Sequence, residues 1–262
     1  MSPAAGPGWI DTHCHVSHID APATEVLAAA AAQGVDVVVD IGMGTEESTA
    51  AARRAVELAP ALYATVGVHP NELSEFERDP GATLSALRRL AAEPRVVGIG
   101  ETGLDTYRDR WPVELQEEAF RAQIDIAIET DTTLVIHCRD AHDTVLSVLD
   151  DAAPDRVVMH CFSGDLAFAR TCAERGYFCS FAGNLTYKKN EELRTAAAQV
   201  PAELLLIETD APFLAPEGHR GKPNSPALLP TTAAVLAEVR RLASDDLAML
   251  LRDNTTRAFG LD

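Results

Sequence analysis

Eight short runs of β-branched and aliphatic residues recur along this 262-residue chain, spaced so that one helix fits between each and the next. After an opening run at Trp9 and Ile10, they fall at Val35–Val39, Leu62–Val66, Val96–Ile99, Thr133–Ile136, Arg156–Met159, Tyr177–Phe181 and Leu204–Ile207. Near-continuous apolar strands are what a parallel sheet buried on both faces requires. The intervening stretches are rich in Ala, Leu and Glu and carry helix punctuation. Pro22 stands near the start of the first and Gly34 after its end; Asp79-Pro80 opens the third and Pro94 closes it; Asp165 can cap the sixth, with Gly176 past its end. Strand and helix repeated eight times predicts an α/β chain folded as a (β/α)8 TIM barrel, one domain over residues 1–262. The main competitor, an open doubly wound sheet, would more often carry a Gly-rich phosphate loop after its first strand, where this chain has His13-Cys14-His15.

Composition narrows the class. Hydrophobic residues make up 47% and charged residues 24%, the balance of a folded globular chain rather than a disordered one. Met1 to Gly8 has no basic start followed by an apolar stretch, so no signal peptide is expected, and no run is long enough to cross a bilayer. Five cysteines, an odd number without an export signal, predict reduced thiols and a cytoplasmic location. The net charge of −18 argues against a broad electrostatic grip on duplex nucleic acid, because acids outnumber bases 40 to 22 and no basic cluster exceeds two residues. Two divalent cations would shift that only to −14, so a phosphate-containing substrate must be held locally.

The predicted strand ends carry the chemistry. Strand one ends in His13 and His15, which alternation projects to one side while Thr12 and Cys14 point away. Strand four runs into Glu101 and Asp105, strand five ends in His137-Cys138-Arg139, strand six in His160, and strand eight in Glu208-Thr209-Asp210. The carboxyl ends of barrel strands converge on one mouth. Four histidines and two carboxylates there exceed what one tetrahedral ion takes and suit two ions with a shared carboxylate. Singly, each residue has an ordinary structural reading: a core histidine, a capping Glu101, an N-cap Asp210. It is the common phase of all six that favours ligation. Cys14, Cys138 and Cys161 adjoin candidate ligands but face away from them, and are read as small packing residues.

His13-Cys14-His15, Gly67-Val68-His69-Pro70, Gly100-Glu101-Thr102-Gly103-Leu104-Asp105, His137-Cys138-Arg139-Asp140, His160-Cys161-Phe162-Ser163-Gly164 and Glu208-Thr209-Asp210-Ala211-Pro212 together resemble the motif series of the TatD-type metal-dependent deoxyribonucleases, in the family's order. The tails from Arg220 to Pro226 and from Asn254 to Gly260 are also similar. Two departures are Thr102, where the family commonly has an aliphatic residue, and Pro223, where a basic residue is more usual.

The resemblance implies a barrel of the metal-dependent hydrolase type with two divalent ions (Mg, Zn or Mn). One would be held by His13, His15, Glu101 and Asp210, the other by Glu101, His137 and His160, with Glu101 bridging. Asp210 and Glu101 are then the catalytic residues, Asp210 accepting the proton of the attacking water. His69 and Arg139 are the substrate-binding candidates; their structural alternatives are holding a loop and pairing with Asp105 or Asp140. The implied activity is exonucleolytic cleavage of phosphodiester bonds at single-stranded DNA or RNA ends. That makes a nucleic-acid strand the partner, with no membrane involved and the oligomeric state open, a monomer being compatible. The rivals are a carbon–nitrogen or ester hydrolase of the same superfamily, such as a D-aminoacyl-tRNA deacylase, and a scaffold without turnover. Every ligand position is filled, which disfavours the scaffold. No lysine stands at a strand end to serve as a carboxylated bridge, which tilts away from an amide hydrolase.

Overall fold

The computed structural model describes residues 7–261; most of the leading segment read above as lacking an export signal lies outside them. Eight strands form one sheet in sequential order: β1 (Trp9–Cys14), β2 (Val35–Ile41), β3 (Leu62–Val66), β4 (Val96–Asp105), β5 (Thr133–Arg139), β6 (Val157–Met159), β7 (Phe178–Phe181) and β8 (Leu205–Ile207). The strand pairs β3–β4, β4–β5, β5–β6 and β7–β8 are parallel. A parallel bridge between Cys14 and Ala211 links the ends of β1 and β8. An open doubly wound sheet leaves its edge strands unpaired; this sequential, re-joined order is that of a (β/α)8 barrel.

The helices are α1 (Ala23–Ala31), α2 (Thr45–Glu57), α3 (Ser74–Arg78), α4 (Pro80–Ala91), α5 (Val113–Thr130), α6 (His142–Ala152), α7 (Leu166–Glu174), α8 (Glu191–Gln199), α9 (Leu229–Arg240) and α10 (Ser244–Phe259). Their ends follow the punctuation. The Asp79 carboxylate accepts from the Ala82 N–H ahead of α4, and Asp165 does the same for Phe168 ahead of α7, each satisfying an otherwise orphaned helix donor. None of the helices in the described residues is long and apolar enough to cross a membrane.

The chain clusters into two compact units, one formed by 7–39 with 161–261 and the other by Asp40–His160. In the second unit, Leu62, Ala64 and Val66 of β3, Leu134, Val135 and Ile136 of β5 and Phe120, Ile124 and Ile126 of α5 are fully buried. In the first, Cys179 and Phe181 of β7, Leu205 and Leu206 of β8 and Leu236 of α9 are equally buried. Removing each large apolar side chain from water contributes roughly 1.5–3 kcal/mol.

One strand is longer than its sequence suggests. The apolar run at Val96–Ile99 continues as strand to Asp105, with a register irregularity between Ile99 and Thr102. Gly100 and Gly103 make this possible, with φ of +141° and +134°. A Cβ would fall 2.4 Å from the Val135 carbonyl oxygen at Gly100 and 2.1 Å from that of His137 at Gly103. Only glycine lets β4 lie this close to β5, and Glu101 sits between the two glycines.

Candidate metal centre

In the first unit, the end of β1 and the turn after β8 bring three predicted ligands together. His13 Nε2 and His15 Nε2 are 3.3 Å apart. Asp210 Oδ1 lies 3.3 Å from His15 Nε2 and 3.9 Å from His13 Nε2. Tetrahedral coordination with bonds of about 2.0–2.1 Å has donor–donor edges of roughly 3.3–3.4 Å; the two separations from His15 Nε2 match this edge and the one from His13 Nε2 to Asp210 Oδ1 is longer. Both rings are buried, and Asp210 is held in the left-handed region at φ +54° by two backbone hydrogen bonds, Asp210 N–H to His13 O and Phe213 N–H to Asp210 O. Aspartate tolerates this conformation better than most residues. The Phe213 ring, itself 46% exposed, meets His15 edge-on with centroids 5.6 Å apart.

Beneath His13, the buried Asp11 carboxylate accepts from the Thr209 hydroxyl, the Thr209 N–H and the His13 N–H. It thereby ties β1 to the segment carrying Asp210. Burial disfavours its charged form; the hydrogen bonds from Thr209 and His13 oppose this, the nearby Glu208 charge adds to it, and the pKa is pushed up to about 7.

In the second unit, three imidazoles converge on one carboxylate oxygen. Glu101 Oε1 lies 2.7 Å from His137 Nδ1, 2.8 Å from His160 Nε2 and 3.3 Å from His69 Nε2. The far nitrogens distinguish the rings. His69 Nδ1 accepts the Asn71 N–H at 2.9 Å, so in the neutral ring Nε2 carries the proton and presents a donor, not a lone pair. His137 is held the other way round: Nε2 faces Asp105 Oδ2 at 3.1 Å, and Nδ1 is the nitrogen turned toward Glu101 Oε1. A carboxylate orienting the remote nitrogen of an imidazole is the usual second support of a metal-binding histidine.

Without a cation, His137 satisfies both carboxylates only when doubly protonated. Burial opposes that state, but the hydrogen bonds with Asp105 and Glu101 outweigh it and raise the pKa. The donor set of imidazoles and carboxylates suits a divalent ion, whose binding would release the extra proton. Burial likewise opposes ionisation of Asp105, yet hydrogen bonds from His137, the Arg108 N–H and Asn71 hold its carboxyl well below the usual range.

Helix α5 positions this cluster. Gln123 Nε2 donates to the Thr102 hydroxyl at 2.7 Å and to the Val68 carbonyl at 3.0 Å, and its Oε1 accepts the Val68 N–H at 2.8 Å. The hydroxyl at Thr102, a departure from the family pattern, is therefore satisfied beside Glu101. Gln116 Oε1 accepts the Asp105 N–H. The Arg139 guanidinium lies 3.9 Å from the centroid of the Tyr107 ring, which is 63% exposed, so its charge stays on a solvent-facing shelf.

The structure thus brings His13, His15 and Asp210 together in one unit, and Glu101, His137, His160 and His69 in the other. No cysteine joins a candidate metal cluster among the described residues. Gln123 and Asn71 were not singled out from sequence, and Asp105 was named at the end of strand four without a role behind a histidine. Asp105 was the accessible one: an even spacing of four from Glu101 along a strand places both on one face.

A family profile described as TatD related DNase matches residues 10–260. An uncharacterized metal-dependent hydrolase TatD of Mycobacterium tuberculosis is 40% identical, over 96% of this chain and 98% of that protein. The 3'-5' ssDNA/RNA exonuclease TatD of Citrobacter rodentium is 39% identical, over 90% of this chain and 91% of its own. Among solved structures, the TatD homologue YjjV of Escherichia coli superposes with a TM-score of 0.89 at 32% identity, covering 97% of this chain and 98% of that one. The chain belongs to the TatD family.

Proposed function

We propose that this chain is a two-metal phosphodiesterase, a single catalytic domain that trims the ends of single-stranded DNA or RNA. The observation that carries this is the differentiated histidine set around Glu101, in which Asp105 holds His137 by Nε2 and turns Nδ1 to Glu101, while the Asn71 N–H holds His69 by Nδ1 and turns Nε2 to Glu101. A metal-assisted hydrolase needs rings held in both ways, one for the cation and one for the substrate oxygen. The exonuclease name of the Citrobacter relative supports the substrate class.

In this reading His13, His15, Glu101 and Asp210 would hold one divalent ion, and Glu101, His137 and His160 the other. Bound divalent ions would supply an acidic water and offset the negative charge that grows on the phosphoryl oxygens. The protein's own groups do the rest. Asp210 accepts the proton of the attacking water. His69 Nε2–H and the planar fork of Arg139 hold phosphoryl oxygens, orienting the phosphorus for in-line attack. Asp105 and Asn71 fix the rings of His137 and His69, so that these contacts need no rearrangement during reaction.

The test is an assay of metal-reconstituted protein on single-stranded DNA, RNA, bis-p-nitrophenyl phosphate and D-aminoacyl-tRNA. Faster turnover of the strands, with Mg, Mn or Zn, is expected. Turnover of the aminoacyl ester with inert phosphodiesters would replace this reading by that of a deacylase.

A further inference from the structure

All three lysines of this chain, Lys188, Lys189 and Lys222, lie in the two segments that follow β7 and β8, in a protein of net charge −18. Arg220 joins them, and the four side chains are exposed. The Arg220 guanidinium sits 4.5 Å from the centroid of the Tyr187 ring. Tyr187 Oη donates to the Ala215 carbonyl at 3.0 Å, and the Glu217 N–H donates to the Thr186 hydroxyl at 2.7 Å. The two segments are therefore one surface.

That surface is built rather than loose. Arg194 of α8 donates to the carbonyls of Leu185, Tyr187 and Lys188 at 3.1, 2.7 and 3.0 Å, fixing the path that presents Lys188 and Lys189. The second segment is closed at its base by Asn224, whose Nδ2 donates to the carbonyls of Thr209 and Phe213 at 2.8 and 2.7 Å. Its base is thus the turn that holds Asp210, and its tip carries Arg220 and Lys222. The acid at the tip, Glu217, lies 3.9 Å from Arg220, a solvent-exposed pair of little strength.

We propose that Lys188, Lys189, Arg220 and Lys222 form a backbone-binding subsite that holds the phosphodiester strand beyond the scissile phosphate, Tyr187 positioning Arg220. This rests on the nuclease reading for the identity of the strand. Concentrated positive charge on an acidic protein selects a polyanion over the neutral body of an ester or amide, and exposed lysines suit phosphates read without regard to sequence. The size of the cluster agrees with a short grip: four contacts on a single strand, not a duplex footprint.

The test uses metal-loaded protein and a fluorescent single-stranded oligonucleotide with phosphorothioate linkages, with binding read by anisotropy between 25 and about 200 mM salt. Replacing Lys188, Lys189 and Lys222 together by Ala alters only exposed side chains. It should weaken binding at least tenfold at low salt and lower the slope of log affinity against log salt by about 2. The rate on bis-p-nitrophenyl phosphate, which has no strand beyond the reacting phosphate, should be unchanged. Equal affinities and slopes for the triple variant and the parent would overturn the subsite, as would a parent that binds no oligonucleotide. A parent that binds the strand, with the slope falling as stated in the triple variant, but hydrolyses no phosphodiester leaves the surface standing and removes the nuclease reading instead.

Discussion

Asp105 Oδ2 stands 3.1 Å from His137 Nε2, on the opposite side of the ring from Glu101 Oε1, which is 2.7 Å from Nδ1. The fully buried Asp105 also accepts from Asn71 Nδ2 at 2.8 Å, and Asn71 fixes the tautomer of His69 through its N–H. One carboxylate thus sets the orientation of two imidazoles, one directly and one through Asn71.

Asp105→Asn is expected to weaken metal retention by about 10- to 100-fold, the usual cost of removing the carboxylate behind a ligating histidine. The substitution keeps the side-chain shape but sets an amide against the Asn71 and His137 donors, so the thermal midpoint should fall as well, and metal affinity is read under conditions where the variant is folded. Competition titration with a chromogenic chelator measures the effect. Unchanged metal affinity would show that His137 does not depend on Asp105 for its orientation. Glu101→Ala, by contrast, should abolish metal retention, since it removes the oxygen on which three imidazoles converge.

The cysteines are predicted to be spectators. Cys14 is fully buried with Sγ 3.8 Å from the Ala211 carbonyl, a packing contact at the point where β1 meets the segment after β8. Cys138→Ala and Cys161→Ala should retain full metal content by elemental analysis. Cys14→Ala should do so at a stability cost of about 1 kcal/mol, read from chemical denaturation. Metal loss in any of the three would make that thiol a ligand.

Within each unit the clustering was partly legible, because ligand-type residues occur where the predicted strands end: His13 and His15 beside Asp210, and Glu101 beside His137 and His160. What was hidden depends on contacts distant in sequence. Val68 and Thr102 are pinned by Gln123, 55 and 21 residues away, and no local pattern marks a glutamine on α5 as support for a strand end. The extension of β4 through Asp105 was obscured by Gly100 and Gly103, which read locally as loop residues. Tertiary contact reverses that reading: the carbonyls of Val135 and His137 occupy the space a Cβ would need. The roles of His69 and His137 are set by which nitrogen faces Asn71 or Asp105, a matter of ring orientation that residue type does not encode.

Asp11 predicts a pH signature in chelator-treated protein. In the unfolded chain its carboxyl titrates near 3.8; burial in the fold, only partly offset by the Thr209 and His13 hydrogen bonds, moves it to about 7. Between these values the folded state binds the extra proton. The contribution of Asp11 to stability is therefore fully present below about pH 4 and is lost as pH rises through 7. Asp11→Asn keeps an acceptor for the backbone N–H groups and supplies a donor to Thr209. It should remove this slope, so the variant gains on the parent by a few kcal/mol between pH 4 and 7. Urea denaturation across that range decides it, and parallel curves for the two proteins would mean that Asp11 is already ionised in the fold.

Arg139 separates the chemistry of the substrate from that of the metal. Its guanidinium rests on Tyr107, outside the group of side chains that converge on Glu101. Arg139→Ala should therefore keep its metal content. The lost charge-assisted contact to a phosphoryl oxygen should cost roughly 1.5–3 kcal/mol, or about ten- to a hundredfold in kcat/KM on a phosphodiester. Tyr107→Ala leaves the guanidinium in place without its shelf and should produce a smaller loss, carried mainly by KM. On a neutral ester or amide neither substitution should matter, because no anionic oxygen awaits the arginine. Measuring both substrates on both variants distinguishes a phosphate contact from a general loss of fold, which would lower all rates together. Intact phosphodiester cleavage in Arg139→Ala, with a neutral ester as the faster substrate, would move the assignment from nuclease to the rival hydrolase.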